Sequence, residues 1–257
     1  MEITLNPGGD AQIKELFDVK GGYARLLQAC QENYDRTADD SKDFALLRTG
    51  VEKVAVLDEV ECAKLRGMID LDLNFLRNHL YRVSLMSKVF TEEIDRRITA
   101  YFGCDYLPLW CRFYRNDPDG EAGVSFNWHC DGGPTKHLKI LLYLNASDES
   151  GGNTQFLDRE TTDAFKRIGY VFCDINQRLS DLGTLAERHA IDFEPHQEKI
   201  GAGEALLFEP ANILHKGSWP TLAPRYLLQI CIVPSPAPWR EICANFPVPG
   251  ENHNWPI

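Results

Sequence analysis

The chain has 257 residues, a formal net charge of −11, 44% hydrophobic residues and 25% charged residues. That length and balance suffice for one large globular domain without disulfides or a structural metal, and they exclude a disordered chain. The acidic residues are scattered and no basic footprint is present, which argues against a nucleic-acid partner. No apolar run approaches the ~18 residues that span a bilayer, so no membrane partner is expected.

Residues 1–104 read as helical. Apolar residues spaced three and four apart predict helices over 10–16, 22–34, 58–73 and 76–102. Asp58 is placed to cap the third of these. Thr91-Glu92-Glu93-Ile94 marks a start whose buried face would be Ile94, Ile98, Tyr101 and Phe102. From residue 105 the pattern changes to short strands, predicted over 109–114, 124–131, 138–145, 154–157, 205–208, 213–215 and 226–233. Turn sequences such as Asn116-Asp117-Pro118-Asp119-Gly120 separate them. Many short strands divided by Gly and Pro indicate a sandwich or jelly roll over 105–240. The polar, partly helical stretch 159–200 is expected to form an insert or lid. Residues 241–257 are expected to run as an extended, proline-rich tail.

The eight cysteines lie far apart without a C-x-x-C pair, and the start Met1-Glu2-Ile3-Thr4-Leu5 carries no signal-like region. Reduced, mostly buried thiols and a cytoplasmic location are the expectation.

His129-Cys130-Asp131 falls on a predicted strand, where residues two apart share a face. An imidazole and a carboxylate are thereby presented side by side. With 7 histidines in the chain, one His-x-Asp by chance is about an even bet, and a buried His bonded to a carboxylate explains it equally well. A third ligand changes the odds. Gly203-Glu204-Ala205-Leu206-Leu207-Phe208 leads through Pro210 to His215, which could complete a two-His, one-carboxylate set suited to Fe(II). If a hairpin turns near Trp219 and Pro220, Arg225 returns opposite His215 with Cβ atoms ~5 Å apart. Its planar fork could then hold a carboxylate beyond the metal.

These residues resemble the Fe(II)/2-oxoglutarate-dependent oxygenase superfamily, particularly its prolyl-hydroxylase-like and phytanoyl-CoA-hydroxylase-like branches. The resemblance runs from Arg112 to Val233. It rests on Arg112-Phe113-Tyr114, His129-Cys130-Asp131, Leu142-Tyr143-Leu144-Asn145, Gly151-Gly152-Asn153-Thr154-Gln155-Phe156, Gly203 to Phe208, His215 and Arg225. It implies a mainly β chain with α elements: a double-stranded β-helix core (jelly roll, cupin-like) with the N-terminal helical region packed on it. It further implies iron held by His129, Asp131 and His215, with 2-oxoglutarate and O2 as cosubstrates. Arg225 would pair with the distal carboxylate of 2-oxoglutarate, Tyr143 would donate to it, and Thr154 would add a contact. Lys139 shares strand parity with Tyr143, so it could reach the cosubstrate or carry its head into water. Candidates for the substrate side are Arg112, Tyr114, Asn127 and Trp128, although Tyr114 and Trp128 serve equally well as packing residues. His189 and His196 read as surface residues. The acid at position 131 argues against a halogenase.

The expected activity is hydroxylation of a small molecule with release of succinate and CO2. Alternatives are a prolyl or peptide hydroxylase, a cupin-like metal enzyme that does not use 2-oxoglutarate, and a non-catalytic jelly-roll binding module.

Overall fold

A computed structural model describes residues 5–7, 18, 21–34, 44–72, 79–170 and 175–245. The helix predicted over 10–16 and the tail beyond 245 lie outside the described residues. Among the described residues five helices precede residue 104: α1 (Gly22–Glu32), α2 (Ala45–Thr49), α3 (Glu59–Leu71), α4 (His79–Val89) and α5 (Glu92–Phe102). Asp58 caps α3 by accepting from Glu61 N, as its position in the sequence suggests. The helical pattern over 76–102 divides in two at Thr91, the start that the sequence marks, whose side chain accepts from Ile94 N. The face of α5 is the expected one, with Ile94, Ile98, Tyr101 and Phe102 all buried.

The first hundred residues are not wholly helical. Strand β1 (Val51–Ala55) pairs antiparallel with β5 (Glu204–Phe208) and forms one edge of the main sheet. Only Val54 of its five residues is buried, too little apolar patterning to announce a strand. The other strands are β2 (Tyr106–Asn116), β3 (Leu138–Tyr143), β4 (Thr154–Phe156), β6 (His215–Gly217) and β7 (Arg225–Pro234). The main sheet runs β1-β5-β3-β7-β2, and β4 with β6 makes a second, two-stranded sheet. All pairs are antiparallel.

The two faces of the main sheet separate by parity. Ile140, Leu142, Leu228, Ile230 and Ile232 pack with Leu85, Met86, Phe90, Ile94 and Phe102 of the helices. Leu141, Tyr143, Leu206, Phe208 and Leu227 point the other way and meet Phe156 of the small sheet. Central strands buried on both faces explain why β3 and β7 read as continuous apolar runs. Gly203 joins the layers at φ +82, where an added Cβ would lie 2.0 Å from Leu57 O. Its carbonyl accepts from both Val56 N and Leu57 N, tying the end of β1 to the start of β5.

Two expectations are corrected and a third takes a definite form. The strand over 124–131 is a 3-10 turn (Val124–Phe126) followed by an extended segment with one bridge, His129 to His215. Its backbone donors serve three different segments: Trp128 N to Leu179 O, His129 N to His215 O, and Asp131 N to Pro210 O. No single neighbour is followed far enough to make a strand. The stretch 159–200, expected as an insert or lid, is helical and packed in its described parts. After the short helix α6 (Ser147–Ser150), it forms α7 (Arg159–Arg167) and α8 (Gly183–His189), whose Phe165, Leu185 and Ala186 pack with Trp128, Cys130 and Leu214 in a separate core. The tail does not begin extended, since Trp239–Asn245 is a helix (α9) that buries Trp239 and Cys243, four residues apart. Among the described residues, seven cysteines are free and buried, and no helix is long and apolar enough to cross a membrane.

Candidate metal centre

The ligands converge because the backbone alternates. Trp128 and Cys130 enter the core beneath the segment, so His129 and Asp131 point to the opposite side, between the two sheets. His129 N donates to His215 O (3.0 Å) and His215 N to His129 O (2.9 Å), which sets the rings with centroids 4.3 Å apart. The ligand atoms of His129, Asp131 and His215 all lie within 4.8 Å of one another. His129 Nε2 is 3.5 Å from Asp131 Oδ1.

Both rings are oriented the same way. His129 Nδ1 lies 2.7 Å from Asn127 O and His215 Nδ1 lies 2.9 Å from Ile213 O. A carbonyl only accepts, so each Nδ1 carries a proton and each Nε2 faces the centre. Burial, reinforced by His129, holds His215 well below the usual imidazole range, so it stays neutral. Burial alone would raise Asp131. The neighbouring Lys139 ammonium, the His129 hydrogen bond and His215 overcome that and hold its carboxyl well below the usual carboxylate range. Two imidazole nitrogens and one carboxylate oxygen are the donor set that suits Fe(II).

A cavity of about 390 Å³ opens from this centre, bordered by Tyr114, Asn116, Glu121, Phe126, Thr154, Trp219, Arg225 and Gln229. Arg225 is buried, with its Nη2 donating to Tyr143 OH (2.9 Å) and Thr154 Oγ1 (3.0 Å) and its Nη1 to Ser218 O (3.3 Å). Its Nε is buried without a hydrogen-bond partner, and among the described residues no carboxylate pairs with it. A buried guanidinium held only by neutral groups is poised for an anion.

No family model and no curated protein matches the chain. Solved structures do. EctD from S. alaskensis with 2-oxoglutarate and 5-hydroxyectoine superposes at TM-score 0.53 and 15% identity over 78% of this chain and 79% of that one. EctD with bound Fe gives 0.53 at 14% identity, over 78% and 80%. The apo form of ThoJ, a non-heme monooxygenase, gives 0.50 at 12% identity, over 74% and 75%. This chain has the fold of the non-haem iron oxygenases.

Within that oxygenase fold several expected site residues sit elsewhere than their sequence positions suggest. Arg225 reaches the site, but not from a hairpin with His215: β6 pairs with β4, and Arg225 registers with Asn116 of β2. Tyr143 lies behind the cavity wall, where its hydroxyl meets Arg225, Thr154 and Asn153. Thr154 borders the cavity. Lys139, expected at the cosubstrate or in water, is 12% exposed with its ammonium on Asp131 Oδ2. Trp128 is a packing residue. Asn127 contributes its carbonyl to His129, and its side chain borders a separate groove with Lys216 and Gln155. Tyr114 borders the cavity, whereas Arg112 is exposed and stacks over Trp110. His189 and His196 are exposed, as expected. Sequence reasoning missed Asn116, Glu121, Phe126, Trp219 and Gln229. Gln229 was reachable, since it shares strand parity with Arg225.

Proposed function

We propose that this chain is an Fe(II)- and 2-oxoglutarate-dependent oxygenase, built on a double-stranded β-helix core, that hydroxylates a small molecule with O2 and releases succinate and CO2. The observation that carries the reading is the convergence of His129, Asp131 and His215 beside a buried guanidinium that lacks an anion. Iron with 2-oxoglutarate and O2 supplies the oxidising chemistry, and the protein supplies placement, charge and exclusion of water.

The residues divide the work. His129, Asp131 and His215 hold the metal. Arg225 receives the distal carboxylate of 2-oxoglutarate, with Thr154 beside it. Tyr143 accepts from Arg225 Nη2 and braces the guanidinium. Tyr114, Asn116, Gln229, Phe126 and Trp219 remain to contact the substrate. A cavity of about 390 Å³ falls within the ordinary range for small-ligand sites, ~300–1,000 Å³, which favours a small molecule over a peptide.

The test is succinate formation with a metabolite panel. The wild-type protein is expected to form succinate only with both Fe(II) and 2-oxoglutarate present, and D131A to form none. Unchanged turnover in D131A overturns the reading.

A further inference from the structure

The two oxygens of Asp131 face different partners. Oδ1 lies 3.5 Å from His129 Nε2. Oδ2 faces the Lys139 ammonium. Oδ2 is buried, and the Lys139 ammonium is the cation in direct contact with it. Lys139 is not a surface lysine that happens to lie near. It sits on β3 between Phe208 of β5 and Cys231 of β7, the two partner side chains of that register are buried, and its ammonium is 5.7 Å from the Trp110 ring centroid. The ion pair is largely enclosed, with side-chain exposures of 12% and 16%.

A carboxylate can bind a metal through one oxygen or both. A second oxygen on the metal would take a place needed by a chelating cosubstrate and by O2. We propose that Lys139 is a positioning residue that occupies Oδ2, so that Asp131 offers the metal one oxygen and the cavity-facing places stay open to 2-oxoglutarate. The inference rests on the functional reading above. Its electrostatics run in two directions. A cation next to a divalent metal weakens metal binding, because like charges repel. The same cation favours the dianionic cosubstrate. Removing it should therefore separate the two affinities, whereas loss of a merely structural residue weakens both.

The experiment measures, by anaerobic calorimetry, Co(II) binding and then binding of 2-oxoglutarate and of oxalate to the Co(II)-loaded full chain. Oxalate chelates a metal but has no distal carboxylate. In K139M, and in K139A as a second variant that opens onto the cavity, Co(II) should bind at least as tightly as in wild type. Both chelators should bind about tenfold or more weakly, the usual scale for groups that orient a metal ligand. K139R, which keeps a cation on Oδ2, should restore chelator affinity. Unchanged chelator affinity, a parallel loss of Co(II) affinity, or a loss confined to 2-oxoglutarate overturns the proposal. Wild-type protein that binds Co(II) but neither chelator overturns the functional reading instead.

Discussion

Replacing Asp131 with Ala in the metal-free protein strands the Lys139 ammonium. The pair is 12% and 16% exposed, with Phe208 and Cys231 flanking Lys139 in register. Breaking a buried ion pair by removing one partner costs about 3–5 kcal/mol. Lys139 also borders the cavity, through which water can reach its head, so the lower end, about 3 kcal/mol, is expected. Removing both charges in D131A/K139M leaves no stranded ion, and most of the stability should return, giving a coupling of about 2 kcal/mol or more. Urea unfolding at pH 7 with a chelator present measures the cycle through the midpoint at constant slope. D131A within about 0.5 kcal/mol of wild type, a change ordinary for surface sites, would refute the reasoning. So would a double variant as unstable as the single one.

Three further outcomes are expected. R225M removes charge-assisted hydrogen bonds to the distal carboxylate, each worth about 1.5–3 kcal/mol, so 2-oxoglutarate should bind Mn(II)-loaded protein roughly 100-fold or more weakly by calorimetry; Mn(II) affinity should not change. His137 and His215 are buried, with pKa values lowered chiefly by burial, so the unfolded chain binds more protons than the native one below the ordinary histidine pKa. Stability of the metal-free protein should therefore fall as pH drops below about 6.5, with a slope of up to about 1.4 kcal/mol per pH unit for each histidine. H137N should flatten that slope in unfolding curves taken between neutral and mildly acidic pH. G203A forces a left-handed residue and a Cβ against Leu57 O, and should cost about 3 kcal/mol or more in the same urea assay.

The legible parts of the fold were those set by local rules. Asp58 and Thr91 cap helices, and Ile94, Ile98, Tyr101 and Phe102 form a face, because capping and 3.6-residue periodicity act within a few residues of sequence. β3 and β7 announced themselves through apolar residues on both parities. What stayed hidden was set by distant partners. The segment 124–131 looks like a strand because its residues alternate, yet its hydrogen bonds go to Leu179, His215 and Pro210. Trp128 reads as an aromatic beside a metal motif, and only the packing of α7 and α8 shows which side of the chain it occupies. Arg225 was identified for a geometric reason that does not hold, since its position comes from β2 and β7 rather than from β6. Lys139 carried a parity signal toward the site, but which anion it would meet depended on the register between β3 and its neighbours.

The same contrast explains why the candidate metal ligands are ordered without relying on side-chain contacts alone. His129 and His215 exchange both backbone hydrogen bonds, and each ring is fixed by a carbonyl two residues earlier in its own segment. Cys130 and Leu214, immediate neighbours of the two histidines, are buried together in the core formed with α7 and α8. The ligand spacing is therefore a property of the backbone and of an apolar core on the far side of it. Asp131 differs. Its main chain is tied to Pro210, but its carboxylate is directed by Lys139 from another strand. Of the three ligands it is the one whose presentation a single distant side chain can change, and variation at position 139 is where metal and cosubstrate affinities should part.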